Sequence, residues 1–441
     1  MSANPALLYG LEDRPPLGRL LLLAFQHACL MASSLVLPAV LVAEIGESMD
    51  KAQTVVALSM IACGIGTILQ VQRWPGIGSG YFCPNVVGPN FFSACINAAW
   101  LGGLPLMRGM TIFAGLFQIL FSSSIRRIKF LFPNEILGLV VMMVGVGLVP
   151  VSTSKLMSVE YNGDPIDGVS VLIAIFCLLL MVFVTVRGSA QLRLYAVLIG
   201  MLTGYGLCYA AGLFGTHAEL QAIAALPLVG LPDLQSLGGI AFHVDLIPTF
   251  IIVSICGTLK SFGNLVLAEK VNDPDWKQAD MGKMQRGLIA DGMALAGSGL
   301  LGGMASDTSS SNVVLTGTSG ATSRVIAIAT GIMFIGLGFL PKFSAALAIM
   351  PAAVSGAVLV FSACYMIMSG LQIITAEKLD YRKIFAIGLG LVAGVSLDVV
   401  PQLYANVPGW LHPVMGTSLS FATVVAVLLN QMLTAKLPAK G

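Results

Sequence analysis

GYFCPNVVGPNFFSACINAAW (80–100) and SDTSSSNVVLTGTSGATSR (306–324) are the two stretches on which the fold turns. Both lie among long apolar runs, yet both are too polar, and too rich in Gly, Pro and Ser, for a continuous lipid-facing helix. As soluble loops they would be unusually apolar for their length. As membrane crossings they must be irregular, and irregular backbone at membrane depth is tolerated only where protein buries it or a cavity runs beside it.

The composition is that of a polytopic membrane protein. Of 441 residues, 56% are hydrophobic and 10% charged, against roughly a quarter charged in soluble domains; mean hydropathy is +0.90. A net charge of +2 says little about partners, because the distribution of charge matters more than its sum; no nucleic-acid partner is expected. Eight cysteines are scattered through apolar runs without a CxxC pair. They read as small buried hydrophobes rather than a disulfide framework or metal site, and no cofactor is expected. Residues 1–17 carry Glu12, Asp13, Arg14 and two adjacent prolines, unlike a signal peptide, so the first span is expected to stay in the mature protein.

Twelve apolar runs begin near residues 20, 55, 110, 136, 169, 190, 246, 287, 325, 345, 385 and 417. The two odd segments raise the count to fourteen. With the N-terminus in the cytoplasm, eighteen of 23 basic residues fall inside, among them Arg126, Arg127, Lys129, Arg193, Lys436 and Lys440. The positive-inside rule holds only if both odd segments cross. An integral protein of the bacterial inner membrane with both termini cytoplasmic is expected. The odd segments are then third and tenth in order, seven apart, so each half has seven spans and the halves are inverted. Paired broken spans at equivalent positions point to a transporter site between them.

Few polar residues lie at depth. Gln26 and His27 interrupt the first span, and His27 is the only histidine within one; an intramembrane ionisable group is expensive enough to suggest function. In the third span Pro84 and Pro89 flank Asn85, Gly88 and Asn90 and precede Phe91. Proline removes a donor and disfavours helix before it, so extended chain is expected there. An aromatic beside free backbone amides suits a flat heterocycle. In the tenth span Ser309, Ser310, Ser311 and Asn312 supply N-cap residues, so a half-helix starting mid-membrane would aim free N–H groups at a ligand. These hydroxyls serving only to satisfy backbone is the alternative.

Lys260 lies within the otherwise uncharged run from Leu246 to Ala268, nine residues before Glu269. At ~13 Å that is too far for simple snorkelling. Cys256, Gly257, Gly263 and Asn264 share its helical face, opposite Ile251, Ile255, Phe262 and Leu265. Asp291 and Asp307 are its candidate counter-ions.

Together these features resemble the nucleobase–ascorbate transporter family of xanthine, uracil and vitamin C permeases. The resemblance rests on Gln26-His27, Asn90-Phe91, Gly263-Asn264, Asp291-Gly292 and SNVVLTGTSG (311–320), whose order along the chain matches the family. It implies an all-α fold of fourteen spans as a seven-plus-seven inverted repeat. Short antiparallel strands from spans 3 and 10 would meet at the site. Residues 1–130 and 246–343 would form a substrate-carrying core, and 131–245 and 344–441 a gate that commonly dimerises. It further implies uptake of a nucleobase with a proton by elevator-like movement, with Gln26, His27, Asn90, Phe91, Lys260, Gly263, Asn264, Ser311 and Asn312 at the substrate and His27, Asp291 and Asp307 as coupling or ion-pair groups. Many members hold a glutamate where Lys260 stands, and a Glu or Gln where Ser311 stands. Replacing an acceptor with a triple donor inverts the hydrogen-bond demand on the ligand. The expected substrate is therefore an oxidised purine that ionises, such as xanthine or urate. The alternative is another organic or inorganic anion, as in the sulfate-permease-like families of the same fold. A binding role without transport ranks third and an enzyme last.

Overall fold

The computed structural model describes residues 7–123, 133–157, 167–213, 217–273, 275–376, 378–404, 407, 415 and 417–434. Arg126, Arg127, Lys129, His412, Lys436 and Lys440 lie outside the described residues. The chain is mostly helical. Helix α1 (Leu17–Ala32) bends through Ser33–Leu35 into α2 (Val36–Glu44). The Ser33 and Ser34 hydroxyls donate to the Leu30 and Met31 carbonyls at 2.7 and 2.8 Å, back-bonding of the kind that bends helices. Helix α3 (Met49–Gln70) precedes strand β1 (Asn85–Val87) and α4 (Phe92–Ser122). There follow α5 (Asn134–Leu156), α6 (Gly168–Arg187), α7 (Ala190–Leu194), α8 (Ala196–Ala210) and α9 (His217–Ala225). The second half holds α10 (Ile247–Asn272), α11 (Met281–Leu301), strand β2 (Ser306–Thr308), α12 (Ser310–Ser319), α13 (Arg324–Gly338) and α14 (Pro341–Ala348). It ends with α15 (Ala352–Ile374), α16 (Tyr381–Val399) and α17 (Ser418–Thr434). Among the described residues seven helical stretches are long and apolar enough to cross a membrane, and α13 with α14 forms a further pair bent by 77°.

Neither odd segment is a continuous helix. Strands β1 and β2 pair antiparallel, with Asn85 opposite Thr308, Val86 opposite Asp307 and Val87 opposite Ser306. Flanking bonds extend the pairing: the Gly88 amide donates to Ala305 O at 2.9 Å and the Ser309 amide to Pro84 O at 2.8 Å. Each strand leads into a helix. Pro89–Phe91 turns β1 into α4, and Ser309 caps α12 by accepting from the Asn312 amide at 3.3 Å. Helix α4 breaks at Gly102 and Gly103, where φ at Gly103 is 69° and only glycine enters without strain.

Close glycine contacts lock these pieces together. Helices α3 and α13 meet at Gly64 and Gly331, where a Cβ on Gly64 would lie 2.6 Å from Gly331 O. Helices α4 and α11 meet likewise at Gly115 and Gly292, where a Cβ on Gly115 would lie 2.3 Å from the Ala296 amide nitrogen. Small residues let backbones approach where lipid supplies no hydrophobic drive for association. The Ile255 and Leu265 side of α10, set opposite Lys260 by its helical spacing, is also buried, packed with Phe121, Met284 and Leu288.

The glycine contact gives a direct test. Gly115→Ala should overpack backbone against backbone, costing about 1–3 kcal/mol, and lower the melting temperature of the detergent-solubilised protein by several degrees. Gly297→Ala in α11, where a Cβ meets nothing within 4 Å, is the matched substitution. It should leave melting unchanged or slightly raise it, and equal melting of the two variants would show that the approach at Gly115 is not tight.

Candidate functional site

Strand register decides the electrostatics. Opposite Val86, β2 carries Asp307, whose side chain is 2% exposed. The Lys260 ammonium reaches it from α10 and donates to Oδ1 at 3.0 Å and Oδ2 at 2.9 Å. Asn90, in the turn before α4, adds a third bond from Nδ2 to Oδ2 at 2.9 Å. A buried carboxylate is tolerable when paired and hydrogen-bonded in this way. Asp291, the other candidate counter-ion, does not take that place. Its Oδ1 accepts from Asn85 Nδ2 at 2.9 Å and its Oδ2 from Gln118 Nε2 at 2.7 Å.

A second layer holds the first. His27 on α1 meets Asn312 Oδ1 through Nδ1 at 2.8 Å, while Asn312 Nδ2 donates to Ser309 Oγ at 3.0 Å. That chain makes His27 Nδ1 the donor and ties α1 to the start of α12. The imidazole also packs on Phe82, ring centroids 4.5 Å apart. Asn264 Nδ2 donates to Thr308 O at 3.1 Å and Oγ1 at 2.9 Å, stitching α10 to β2. Phe91 is buried against Gly257, where a Cβ would come within 3.1 Å of its ring.

In front of these groups opens a cavity of about 720 Å³. Its wall includes Asn90, Lys260, Ser309, Ser310 and Ser311, together with Val141 of α5, Arg193 of α7, and Phe361 and Tyr365 of α15. Of the residues singled out in the sequence, Pro89, Asn90, Cys256, Lys260, Ser309, Ser310 and Ser311 reach the wall. His27, Phe91, Asn264 and Asn312 are buried behind it. Gln26 and Gly263 lie off the wall, Gln26 half-buried and Gly263 exposed, where an added Cβ would meet nothing within 4 Å among the described residues. No site role was legible in the amino-acid sequence for Arg193 and Tyr365 on the wall or for Gln118 behind it. Gln118 left a trace, as the one amide in the apolar run from Met110 to Phe121.

The wall is rich in donors. Lys260 keeps one N–H beyond its two bonds to Asp307, the serines of α12 present hydroxyls, and the first amides of a helix have no intrahelical partner. The nearest carboxylate acceptor is already occupied. Such a surface suits a ligand that brings its own acceptors. Among the described residues no group of three His, Cys, Asp or Glu side chains could hold a metal ion.

A model of the permease family (Xan_ur_permease) matches residues 18–403. Xanthine permease XanP of Escherichia coli (strain K12) is 26% identical over 97% of this chain and 94% of its own. Uric acid permease PucK of Bacillus subtilis (strain 168) is 24% identical over 95% of this chain and 96% of its own. The transmembrane domain of a cyanobacterium bicarbonate transporter, BicA, aligns with a TM-score of 0.55 at 14% identity, covering 95% of this chain and 98% of that one; it shares the fold. These relatives are transporters rather than enzymes, and with its apolar helices this chain is an integral membrane protein that belongs to the same permease family.

Proposed function

We propose that this chain is a secondary transporter of a nucleobase-like substrate, an oxidised purine such as xanthine or urate. The observation that carries the reading is the Lys260–Asp307 pair standing at the wall of the cavity beside the start of α12. Oxidised purines ionise and present carbonyl oxygens, the acceptors that a spare ammonium hydrogen and serine hydroxyls demand. The names of the relatives support the same class. Without substrate, Asp307 holds the ammonium; with substrate, Lys260 shares itself between the two.

The architecture in this reading is fourteen spans in two inverted halves. The matching strand-to-helix breaks and the reciprocal glycine contacts, α3 on α13 and α11 on α4, support it. Residues 1–130 and 246–343 make the core, and 131–245 and 344–441 the gate. Across that boundary Lys155 meets Glu44 at 2.8 Å, and Thr249 meets Ser420 at 2.7 Å. Elevator-like movement of core against gate requires those contacts to break. Proton coupling through His27, Asp291 or Asp307, a homodimer assembled through the gate, and insertion in the inner membrane with cytoplasmic termini complete the reading. A second reading, transport of another anion, is favoured by a cation standing where relatives of the family hold an acid.

Uptake of radiolabelled xanthine and urate into proteoliposomes, with unlabelled purines, pyrimidines, sulfate and bicarbonate as competitors, separates the two readings. Competition by the inorganic anions alone would replace the first with the second. Lys260→Gln should cut uptake about ten-fold or more, the worth of a hydrogen bond to a charged group. It also leaves Asp307 buried without its cation, so Lys260→Gln/Asp307→Asn is needed beside it. If that double variant transports normally, the pair only holds the structure together.

His27→Asn tests the second layer. It should insert normally and raise the apparent KM by several-fold, because the start of α12 loses its tie to α1. Unaltered kinetics would leave His27 with a packing role alone.

A further inference from the structure

Among the described residues, the cavity wall holds two cationic side chains, Lys260 and Arg193, and no carboxylate. They are not equivalent. The Lys260 charge is compensated by Asp307, which lies directly behind it. Arg193 is bound only to carbonyls: Nε donates to Gly188 O at 3.0 Å and Nη2 to Val186 O at 3.3 Å. Among the described residues no Asp or Glu pairs with it. Carbonyl acceptors orient a guanidinium without neutralising it. Of its five N–H donors at least three stay available, including both on Nη1. Helix α7, which carries Arg193, packs against α12, whose Ser310 and Ser311 open on the same cavity.

We propose that Arg193 is a specificity-determining residue of this cavity, the uncompensated charge that selects ionised ligands over neutral ones. This inference rests on the substrate reading above and deepens it. The ligand class is a monoanionic oxopurine. Two oxygens or an oxygen and a deprotonated ring nitrogen on one edge meet the guanidinium, and another edge meets Lys260 and the serine hydroxyls. An amino-substituted or neutral purine offers Arg193 fewer acceptors and no charge. The competing account is that Arg193 merely caps the end of α6, where a cation is favoured by the helix dipole. Such a cap would affect all ligands alike.

The test uses the purified full chain in lipid nanodiscs and equilibrium binding of radiolabelled urate, ionised at neutral pH, and hypoxanthine, which is neutral there. Arg193→Gln should weaken urate about ten-fold while hypoxanthine changes by less than about two-fold. Arg193→Lys, which keeps the charge but not the fork, should recover only part of the urate affinity. Urate binding to the wild-type protein should also weaken with rising salt, and more steeply than in Arg193→Gln. Equal weakening of both ligands, or no weakening of urate, would overturn the assignment in favour of the cap. Should Arg193→Gln fail to insert, salt-independent urate binding by the wild-type protein would overturn it instead. If the wild-type protein binds neither purine, the purine reading itself falls. The same three proteins are then compared with radiolabelled sulfate, and undiminished sulfate binding in Arg193→Gln would remove Arg193 from the site as well.

Discussion

Six residues of extended backbone, three in β1 and three in β2, are the constraint on which the rest of the molecule depends. Chain that leaves the helix within a membrane exposes amides and carbonyls that lipid cannot satisfy. Each strand satisfies the other, and neither is tenable alone. That mutual need fixes the distance between the two halves of the sequence, and it brings the starts of α4 and α12 to one cavity. The surrounding polar side chains follow from the same demand. The Asn85 amide donates to Thr67 Oγ1 at 3.0 Å, and Asn264 covers Thr308 from α10. Glycines at Gly64, Gly115, Gly292 and Gly331 allow the supporting helices to close on this small sheet.

Charge at depth obeys a parallel rule. Asp307 receives three donors, two from Lys260 and one from Asn90, so neither member of the ion pair is left bare. Asp291 is held by the Asn85 and Gln118 amides and by Ser261, and among the described residues it has no ion pair. The two buried acids are thus linked through neighbouring strand positions, Asn85 on one side and Val86 opposite Asp307 on the other. A shift in either strand moves the environment of both carboxylates. Coupling of ligand and proton, on the proposed reading, needs no longer path than this.

The breaks within residues 80–100 and 306–324 were legible because Pro, Gly and Ser are local signals, and Lys260 was legible because its cost is local too. What required the register of two strands was not. Only the pairing of Val86 with Asp307 tells which aspartate Lys260 meets, and 221 positions separate those residues. Helical spacing placed Gly263 near Lys260, but one residue is worth 100° of rotation and both sides of α10 are buried in places, so hydrophobicity could not orient the helix. The run beginning near residue 345 proved to be two elements: Pro341 starts α14, Pro351 precedes α15, and the true long helix begins at Ala352. Arg193 counted as a cytoplasmic charge, which says nothing of whether a side chain turns back into a cavity.

An ion pair is an odd choice for holding α10 to β2. Apolar residues of similar volume often do as well or better once desolvation is counted, so a buried pair is weak evidence for stability as a goal. Its position at a cavity wall is more telling. Lys260 is 27% exposed on the side facing that space, and its partner is already a set of oxygens. On the proposed reading, a ligand oxygen that draws the ammonium forward replaces one acceptor with another, so the charge is never stripped of partners. The gain on binding is correspondingly modest, since part of the attraction is used to loosen the bond to Asp307. For a permease that is an advantage, because a substrate gripped by an uncompensated ammonium in a low-dielectric site would be slow to leave. On the proposed reading the pair tempers the grip, while Arg193, which lies exposed on the same wall, supplies attraction where water can still screen it.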